Sequence, residues 1–219
     1  MPEVVAAAAP LGLVLVVEDD VAVRMSIALL LKLHGYATEE YGSAEQFLQS
    51  SPLPQRPACV LADIRLPGMS GTALQARMVG NRHAPPVLLM TAQGSEELAR
   101  AALLRGAVDF LEKPIDETAL LSAVAAGLRS DAERIARESE RDALAMRLGT
   151  LSRQERLLFE QITDGRQMRE IAEQWGLAVE VVEQQRAGLM EKLQAPRMAD
   201  LFRLRFQIGE RLSGRAEPI

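Results

Sequence analysis

Carboxylate, hydroxyl and ammonium side chains follow short apolar runs in the first half of this chain. The apolar runs lie at residues 13–17, 37–41, 59–62, 87–90 and 108–111. The polar side chains after the first, third, fourth and fifth runs are Glu18, Asp19 and Asp20; Asp63; Thr91; and Lys113. If the runs are parallel strands of one sheet, these groups meet at the carboxyl edge, where such sheets bind their ligands.

Several acids, one hydroxyl and one ammonium at a single edge predict phosphoryl-transfer chemistry. Carboxylates gathered in a partly buried cleft are costly unless a cation neutralises them. Mg²⁺ is the expected cation because it prefers carboxylate oxygens and bridges readily to phosphate. Asp63 would then attack a phosphoryl donor, while the metal and Lys113 balance charge and Thr91 bonds the product. Any one acid could equally cap a helix or face solvent, so the prediction depends on the whole set.

The order of the apolar runs predicts how these groups are positioned. Four runs lack alternation, which is typical of strands buried on both faces, whereas the second contains Thr38, Glu39 and Glu40 and is expected at a sheet edge. Segments with an apolar spacing of about 3.6 residues, such as 23–31 and 98–105, separate the runs and indicate helices. The alternation predicts an α/β domain at residues 11–127 with a doubly wound five-stranded parallel sheet.

Residues 128–149 are predicted to form a helical linker. Residues 129–147 contain five arginines, five acids and no proline. Spaced opposite charges are typical of a solvated helix. A coiled-coil seam between two chains is the alternative, because Leu128, Ala132 and Ile135 have heptad-like spacing, although Ser139 and Asp142 interrupt it.

A second, all-α domain of four helices is predicted at residues 150–210. The first helix follows Ser152, the second spans residues 168–175, the third spans about 179–194, and the fourth follows Pro196. Gly165 and Gly176 separate the first three helices. A helix, a glycine-containing turn and another helix form the layout of helix-turn-helix proteins.

The first domain resembles the receiver domain of bacterial response regulators, which has a flavodoxin-like fold. The resemblance covers about residues 13–129. It rests on four ordered motifs, which are Val16-Val17-Glu18-Asp19-Asp20, Leu61-Ala62-Asp63-Ile64-Arg65-Leu66-Pro67-Gly68-Met69-Ser70-Gly71, Leu89-Met90-Thr91-Ala92, and Gly106-Ala107-Val108-Asp109-Phe110-Leu111-Glu112-Lys113-Pro114.

This resemblance implies a role for each residue of the predicted site. The implied roles are Asp63 as the phosphoacceptor; Glu18, Asp19, Asp63 and the backbone carbonyl of Arg65 as Mg²⁺ ligands; Thr91 and Phe110 as a switch pair; and Lys113 as a phosphoryl contact. The resemblance also implies a cis bond between Lys113 and Pro114, a sensor histidine kinase as phosphoryl donor, and a homodimer in the phosphorylated state. One departure is Glu18, because many receivers have aspartate there.

Residues 151–206 resemble the LuxR-type DNA-binding domain, so the whole chain resembles the NarL/FixJ family of transcription regulators. The matching residues are Leu151-Ser152-Arg153-Gln154-Glu155-Arg156, Gly165, Glu170-Ile171-Ala172, Val182 and Met190-Glu191-Lys192-Leu193. Regulation of transcription through DNA binding is the implied output. The expected DNA contacts are Arg169, Gln184, Gln185, Arg186 and Lys192.

The expected recognition helix departs from the family pattern. Val181 stands where threonine is usual, and Gln185 stands where histidine is common. The same helix carries Glu180, Glu183 and Glu191, which oppose phosphate binding, although glutamate can accept a hydrogen bond from a cytosine amine. DNA binding is the main hypothesis. The alternative is a phosphorylation-controlled protein-interaction output with a helix-turn-helix domain that no longer reads DNA.

The composition fits a cytoplasmic regulator. The net charge of −5 lies entirely in residues 1–149, because residues 150–219 contain eleven basic and eleven acidic residues. With Cys59 as the one cysteine, an internal disulfide is impossible, and the apolar runs are too short to span a bilayer. Residues 1–10 are expected to form a flexible leader and residues 211–219 a flexible tail.

A separate enzymatic activity is not expected. A phosphatase of the dehalogenase type, which also uses an aspartyl-phosphate intermediate, would need an Asp-x-Asp motif on the first strand. Residues 18–20 read Glu-Asp-Asp and do not supply that motif. The expected catalysis is limited to the receiver's own phosphoryl transfer and dephosphorylation.

Overall fold

The computed structural model describes residues 10–50, 56–79, 81–92 and 109–213. The chain divides into two compact units, Met1–Arg137 and Glu138–Ile219. The predicted helix around residues 98–105, most of the predicted leader and the end of the predicted tail lie outside the described residues. Within the described ranges, no helix is both long enough and apolar enough to cross a membrane.

A parallel sheet is the centre of the first unit. In the part of the chain that is described, its strands are β1 (Leu13–Val17), β2 (Ala37–Tyr41), β3 (Ala58–Asp63), β4 (Val87–Ala92) and β5 (Asp109–Lys113). Their order is β2-β1-β3-β4-β5, and every neighbouring pair is parallel. The predicted five-stranded parallel sheet is therefore confirmed, with the polar strand β2 at an edge as its residues indicated.

Helices cover both faces of the sheet, which explains the unbroken apolar strands. The described helices of the first unit are α1 (Val21–Leu33), α2 (Ala44–Ser50), α3 (Gly71–Val79) and the first part of α4 (Glu117–Gly149), which continues beyond Arg137 into the second unit. Val14 and Val16 share a core with α1 and α4, whereas Leu13, Leu15 and Val17 share the other core with α2 and α3. Because successive side chains of a strand point to opposite faces, a strand between two helical layers must be apolar throughout.

Helix α4 is longer than the predicted linker helix. It runs without a break from Glu117 to Gly149, so the predicted border between residues 127 and 128 falls inside one helix. Leu128 belongs to the core of the first unit, and Asp131 is only 1% exposed. The solvated-linker interpretation is wrong for these two residues. Since Leu128 packs within its own unit, it also does not contribute to the coiled-coil seam considered as an alternative.

Asp131 is buried because its carboxylate has specific polar partners. Its Oδ2 accepts a hydrogen bond from the backbone N–H of Ala58 at 2.9 Å, and its Oδ1 accepts one from Nε of Arg134 at 2.8 Å. Arg134 also donates to the carbonyl of Arg82 at 3.2 Å. These bonds offset the cost of removing a carboxylate from water. They attach α4 to the first residue of β3 and to the segment before β4.

Helices α5 to α8 pack around the core of the second unit. They are α5 (Arg153–Thr163), α6 (Met168–Trp175), α7 (Val179–Lys192) and α8 (Met198–Ser213). A capping box of Ser152 and Glu155 begins α5, and Gly176 ends α6 with a φ of +65°, a conformation that glycine adopts without steric cost. The predicted four-helix, helix-turn-helix arrangement is confirmed. Helix α8 reaches three residues into the predicted tail, to Ser213.

Candidate functional site

The predicted groups of the first unit meet where the strand order reverses. Strands β1 and β3 are neighbours, but β1 connects through α1 to β2 on one side and β3 connects through α3 to β4 on the other. Because α1 and α3 cover opposite faces, a crevice lies beyond the carboxyl ends of β1 and β3. Glu18 follows β1 and Asp63 ends β3, so both belong to this crevice.

Three carboxylates lie close together at the crevice. One oxygen from each of Glu18, Asp19 and Asp63 lies within 4.8 Å of the other two. Glu18 is 1% exposed and Asp63 is 8% exposed, whereas Asp19 is exposed. Like charges this close repel each other unless a cation lies between them. An all-oxygen set with one member open to water is a suitable site for a hard divalent cation.

Lys113 brings a positive charge to the same crevice from the end of β5. Its Nζ lies 2.7 Å from Oε2 of Glu18 and 3.3 Å from Oδ2 of Asp63. Burial raises the pKa of Glu18, and the hydrogen bond from Lys113 only partly opposes this effect. Burial by itself lowers the pKa of Lys113, but its bond to Glu18 and the charge of Asp63 outweigh burial, so the net pKa is raised. Lys113 is therefore a cation at neutral pH.

Thr91 and Phe110 lie on neighbouring strands and on one face of the sheet. Thr91 is 2% exposed, and its hydroxyl donates to the carbonyl of Ala92 at 3.1 Å. Leu89 precedes Thr91 by two residues and so shares its face, and Phe110 is the partner of Leu89 in the β4–β5 register. Phe110 is partly buried against the core that contains Leu89. The structure places the two residues on the same face of neighbouring strands, and their role as a switch pair stays a prediction.

The segment after Asp63 carries Arg65, the residue whose backbone carbonyl is a predicted metal ligand. The side chain of Arg65 is exposed. The segment turns back sharply into α3, because the N–H of Gly71 donates to the carbonyl of Ile64 at 3.1 Å. A Cβ atom at Gly71 would overlap the carbonyl oxygen of Asp63, so only glycine fits there. Coordination by the Arg65 carbonyl stays a prediction.

Two residues near the acids have roles that the sequence did not reveal. Asp20 is the N-cap of α1, and its Oδ1 accepts hydrogen bonds from the N–H groups of Ala22 and Val23 at 2.8 and 3.0 Å. Nη1 of Arg24 donates to the backbone carbonyls of Glu18 and Asp19. Asp20 therefore orders the helix, while the other two acids face the crevice. An aspartate just before an apolar-periodic segment is a capping signal and could have identified Asp20.

The five residues expected to contact DNA occupy different environments in the second unit. Arg169 on α6 and Gln184 on α7 are exposed, whereas Gln185 and Arg186 on α7 are half-buried. Lys192 is exposed, but its Nζ lies 2.8 Å from Oε1 of Glu155, the capping-box residue of α5. Arg169, Gln184 and Lys192 are therefore the exposed members of the set, and Lys192 is paired with Glu155. DNA contact stays a prediction for all five residues.

Models of two protein families match the chain. The response regulator receiver domain matches residues 14–125, and the luxR family of bacterial regulatory proteins matches residues 149–204. The two matches correspond to the parallel-sheet unit and to the helical unit.

Curated relatives match over nearly their whole length. The transcriptional regulatory protein FixJ of Azorhizobium caulinodans is 36% identical over 194 residues, which cover 89% of this chain and 92% of that protein. The C4-dicarboxylate transport transcriptional regulatory protein DctR of Rhodobacter capsulatus is 32% identical over 193 residues, which cover 86% of this chain and 96% of that protein.

Solved structures of similar proteins also cover both units. The response regulator StyR has a TM-score of 0.81 and 32% identity, covering 90% of this chain and 98% of that structure. Full-length FixJ from B. japonicum has a TM-score of 0.54 and 32% identity, covering 92% of this chain and 98% of that structure.

Proposed function

Since this chain belongs to the NarL/FixJ family of two-component response regulators, we propose that Asp63 receives a phosphoryl group from a sensor histidine kinase. The protein is a transcription regulator with a receiver and a LuxR-type helix-turn-helix domain. We assign the input to Asp63 and the output to the second unit. A phosphoryl group adds nearly two negative charges at neutral pH and so can shift a conformational equilibrium.

The observation that supports Asp63 most strongly is the set of charges around it. Its carboxylate is 8% exposed, lies in a cluster with Glu18 and Asp19, and has Nζ of Lys113 at 3.3 Å. An acid that served only as a surface charge would not share a buried crevice with two further acids and a lysine. The family match of residues 14–125 includes all four residues.

Mg²⁺ is the proposed cation at this site. Glu18, Asp19, Asp63 and the backbone carbonyl of Arg65 would hold it, since all four offer the oxygen ligands that Mg²⁺ prefers. When bound, it supplies positive charge next to the phosphoryl oxygens.

In the proposed reaction, a carboxylate oxygen of Asp63 attacks the phosphorus of a phosphohistidine on the kinase. The O–P bond forms as the P–N bond breaks, and the departing imidazole takes a proton from water. Lys113 balances charge on the phosphoryl oxygens, and the hydroxyl of Thr91 turns from the carbonyl of Ala92 to donate to one of them. Attack by water later regenerates Asp63 and releases phosphate. Catalysis is thus limited to the protein's own phosphoryl group.

The proposed switch uses the face shared by Thr91 and Phe110. Movement of Thr91 toward the phosphoryl group leaves space next to Phe110. The aromatic ring of Phe110 can turn into this space. This exchange shifts the population between two packings of the β4–β5 face. We propose that the remodelled face forms a homodimer, which places two helix-turn-helix units together on cytoplasmic DNA.

An apolar stripe on α1 supports docking of a helical kinase partner. Val21, Met25, Leu29 and Leu33 are each more than half exposed and recur every fourth residue along the helix. Residues four apart share one face of a helix, so the four side chains form a continuous row. The row begins at Val21, two residues after Asp19, and therefore leads to the phosphorylation site.

DNA binding is the proposed output, with the exposed Arg169 and Gln184 as its leading contacts. An exposed arginine neutralises phosphates, and an exposed glutamine on the recognition helix can bond adenine. The exposed glutamates of α7 reduce non-specific attraction to DNA, so we expect binding to depend strongly on sequence. The protein-interaction alternative is not favoured, because the relatives are transcriptional regulatory proteins and the LuxR-type match covers residues 149–204.

The test is binding of the full chain to genomic DNA fragments after treatment with acetyl phosphate and Mg²⁺. The Asp63→Asn variant is the matched control, because it keeps the side-chain shape and removes the nucleophile. Fragment-specific binding that strengthens with phosphorylation and stays weak in Asp63→Asn is the expected result. Phosphorylated protein that binds no fragment even at low salt would refute the DNA output, and an unphosphorylated Asp63 would refute the input.

A further inference from the structure

The segment between β3 and α3, residues 64–70, must have a fixed shape if the Arg65 carbonyl is to serve as a ligand. Its first part is held by the core: Ile64 and Leu66 are buried, and the N–H of Ile64 donates to the carbonyl of Met90 at 2.9 Å. Its last part is held by Ser70, whose hydroxyl caps α3 by accepting from the N–H of Ala73 at 3.2 Å. The middle of the segment depends on a different element.

Glu45, in the first turn of α2, holds the middle of this segment. Its Oε1 accepts a hydrogen bond from the backbone N–H of Met69 at 2.7 Å. The same oxygen lies over Gly68, where an added Cβ would be only 2.7 Å from it. Gly68 also has a φ of +78°, in the left-handed region that favours glycine. The turn at residues 68–69 is therefore shaped to receive the Glu45 carboxylate.

The charge state of Glu45 suits this role. Hydrogen bonds from its own backbone N–H and from that of Met69 lower the pKa of its carboxyl group. Glu45 is thus an anion at neutral pH, and hydrogen bonds to charged acceptors are stronger than those to neutral ones.

We propose that Glu45 is a positioning residue for the metal-assisted acceptance of the phosphoryl group. The core holds this segment at Ile64 and Leu66, and Glu45 adds a second anchor at Met69 that keeps residues 64–70, including the Arg65 carbonyl, in one place relative to Asp63. This inference rests on the proposed function of Asp63. It assigns part of the control over the metal site to α2, a helix that contributes none of the proposed ligands.

Helix α2 offers a matched control in the residue next to Glu45. Oε1 of Gln46 accepts a hydrogen bond from the backbone N–H of Gly42, also at 2.7 Å, but Gly42 lies before α2 and not in residues 64–70. The Gln46→Ala variant therefore removes a bond of the same length from the same helix. The Glu45→Gln variant keeps an oxygen acceptor for Met69 and is the conservative replacement.

The experiment uses the full chain in four forms: wild type, Glu45→Ala, Glu45→Gln and Gln46→Ala. Titration with MgCl₂, followed by amide NMR shifts, measures metal affinity without phosphorylation, and amide exchange at Met69 measures the anchor directly. The rate of phosphorylation by acetyl phosphate is then measured at varied Mg²⁺ concentrations. This measurement gives two separate quantities, the Mg²⁺ concentration at half-saturation and the phosphorylation rate at saturating Mg²⁺.

We expect Glu45→Ala to weaken Mg²⁺ binding by about tenfold, the lower end of the effect for groups that orient metal ligands. Half-saturating Mg²⁺ should rise equally, the saturated rate should change by less than about twofold, and Met69 should lose exchange protection. Glu45→Gln should restore most of the affinity, and Gln46→Ala should leave it unchanged.

Wild-type Mg²⁺ affinity in Glu45→Ala, or an equal loss in Gln46→Ala, overturns the positioning role. The first result means that residues 64–70 hold their shape without Glu45, and the second means that any weakening of α2 has the same effect. A wild-type protein that binds Mg²⁺ but is not phosphorylated refutes the proposed function instead, and the MgCl₂ titration still decides the role of Glu45.

Discussion

Replacement of Asp131 by alanine is expected to destabilise the first unit by about 2–4 kcal/mol. The carboxylate is 1% exposed, and it joins α4 to the backbone N–H of Ala58 and to Arg134. Alanine removes all of these bonds at once and offers no replacement. The amino end of β3 should become the least protected part of the sheet.

The size of this effect follows from the two partners. The N–H of Ala58 is buried, and a buried N–H without a partner costs about 1–3 kcal/mol. Arg134 would lose a charged partner, but its side chain is 21% exposed, so water can replace much of the interaction. We therefore assign only about 1 kcal/mol to the arginine.

Urea unfolding followed by far-UV circular dichroism measures the loss, and amide exchange at Ala58 locates it. Asp131→Asn should have a smaller effect, because its amide oxygen can still accept from Ala58. Glu133→Ala is the control on the same helix, since Glu133 is 71% exposed and its oxygen lies 3.7 Å from Arg137. An exposed pair of this kind contributes about 0–1 kcal/mol.

An equal, small loss of stability in Asp131→Ala and Glu133→Ala would refute the anchoring role of Asp131. That result would mean that the hydrogen bond to Ala58 stabilises the first unit no more than an exposed ion pair does. Unchanged exchange protection at Ala58 in Asp131→Ala would refute it separately.

Three other substitutions test further features of the structure. Gly71→Ala should destabilise the first unit by about 3 kcal/mol in urea unfolding, because its Cβ overlaps the Asp63 carbonyl; a neutral result would contradict this packing. Gly188→Ala should raise the stability of the second unit by about 1 kcal/mol, since no atom beyond its chain neighbours and the helix's own backbone lies within 4 Å of the added methyl group; a lower melting temperature would argue against it. The Lys192 bond lowers the pKa of Glu155, so its stabilisation is present above the usual glutamate pKa of about 4.3 and is lost as the pH falls through the lowered value. Lys192→Met should reduce this acid sensitivity in melting experiments, and an unchanged pH profile would contradict the assignment.

The sheet could be predicted because β1, β3 and β4 are buried on both faces and therefore have nearly continuous apolar sequences. The order of Glu18, Asp63, Thr91 and Lys113 after successive strands then located the crevice, because parallel strands end at one edge. The distances between these four side chains follow from the order of the strands in the sheet. The resemblance to a known fold also implies that order. The three adjacent acids were predicted as one group, although the position of Asp20 just before the apolar spacing of α1 is the capping signal that separates it from its neighbours.

The anchors made by Asp131 and Glu45 could not be predicted in the same way. Asp131 bonds a residue 73 positions away, and Glu45 bonds one 24 positions away. In both cases the partner is a backbone N–H, which every residue except proline has, so no residue type marks it. A charged residue on a helix has the same sequence pattern whether it faces solvent or a backbone donor. The accessibility of the expected DNA contacts, such as Lys192 beside Glu155, depends on the fold for the same reason.

The bond from Ala58 to Asp131 also has a consequence during synthesis. At about 5–20 residues per second, residue 131 is added roughly 3 to 14 s after Asp63. Throughout that interval the nascent β3 has the proposed phosphoacceptor, Asp63, but not the partner of its first N–H. The first unit is complete only when the ribosome has passed well into α4. A chain whose translation stops near residue 125 is therefore expected to be a poor phosphoacceptor and a good protease substrate.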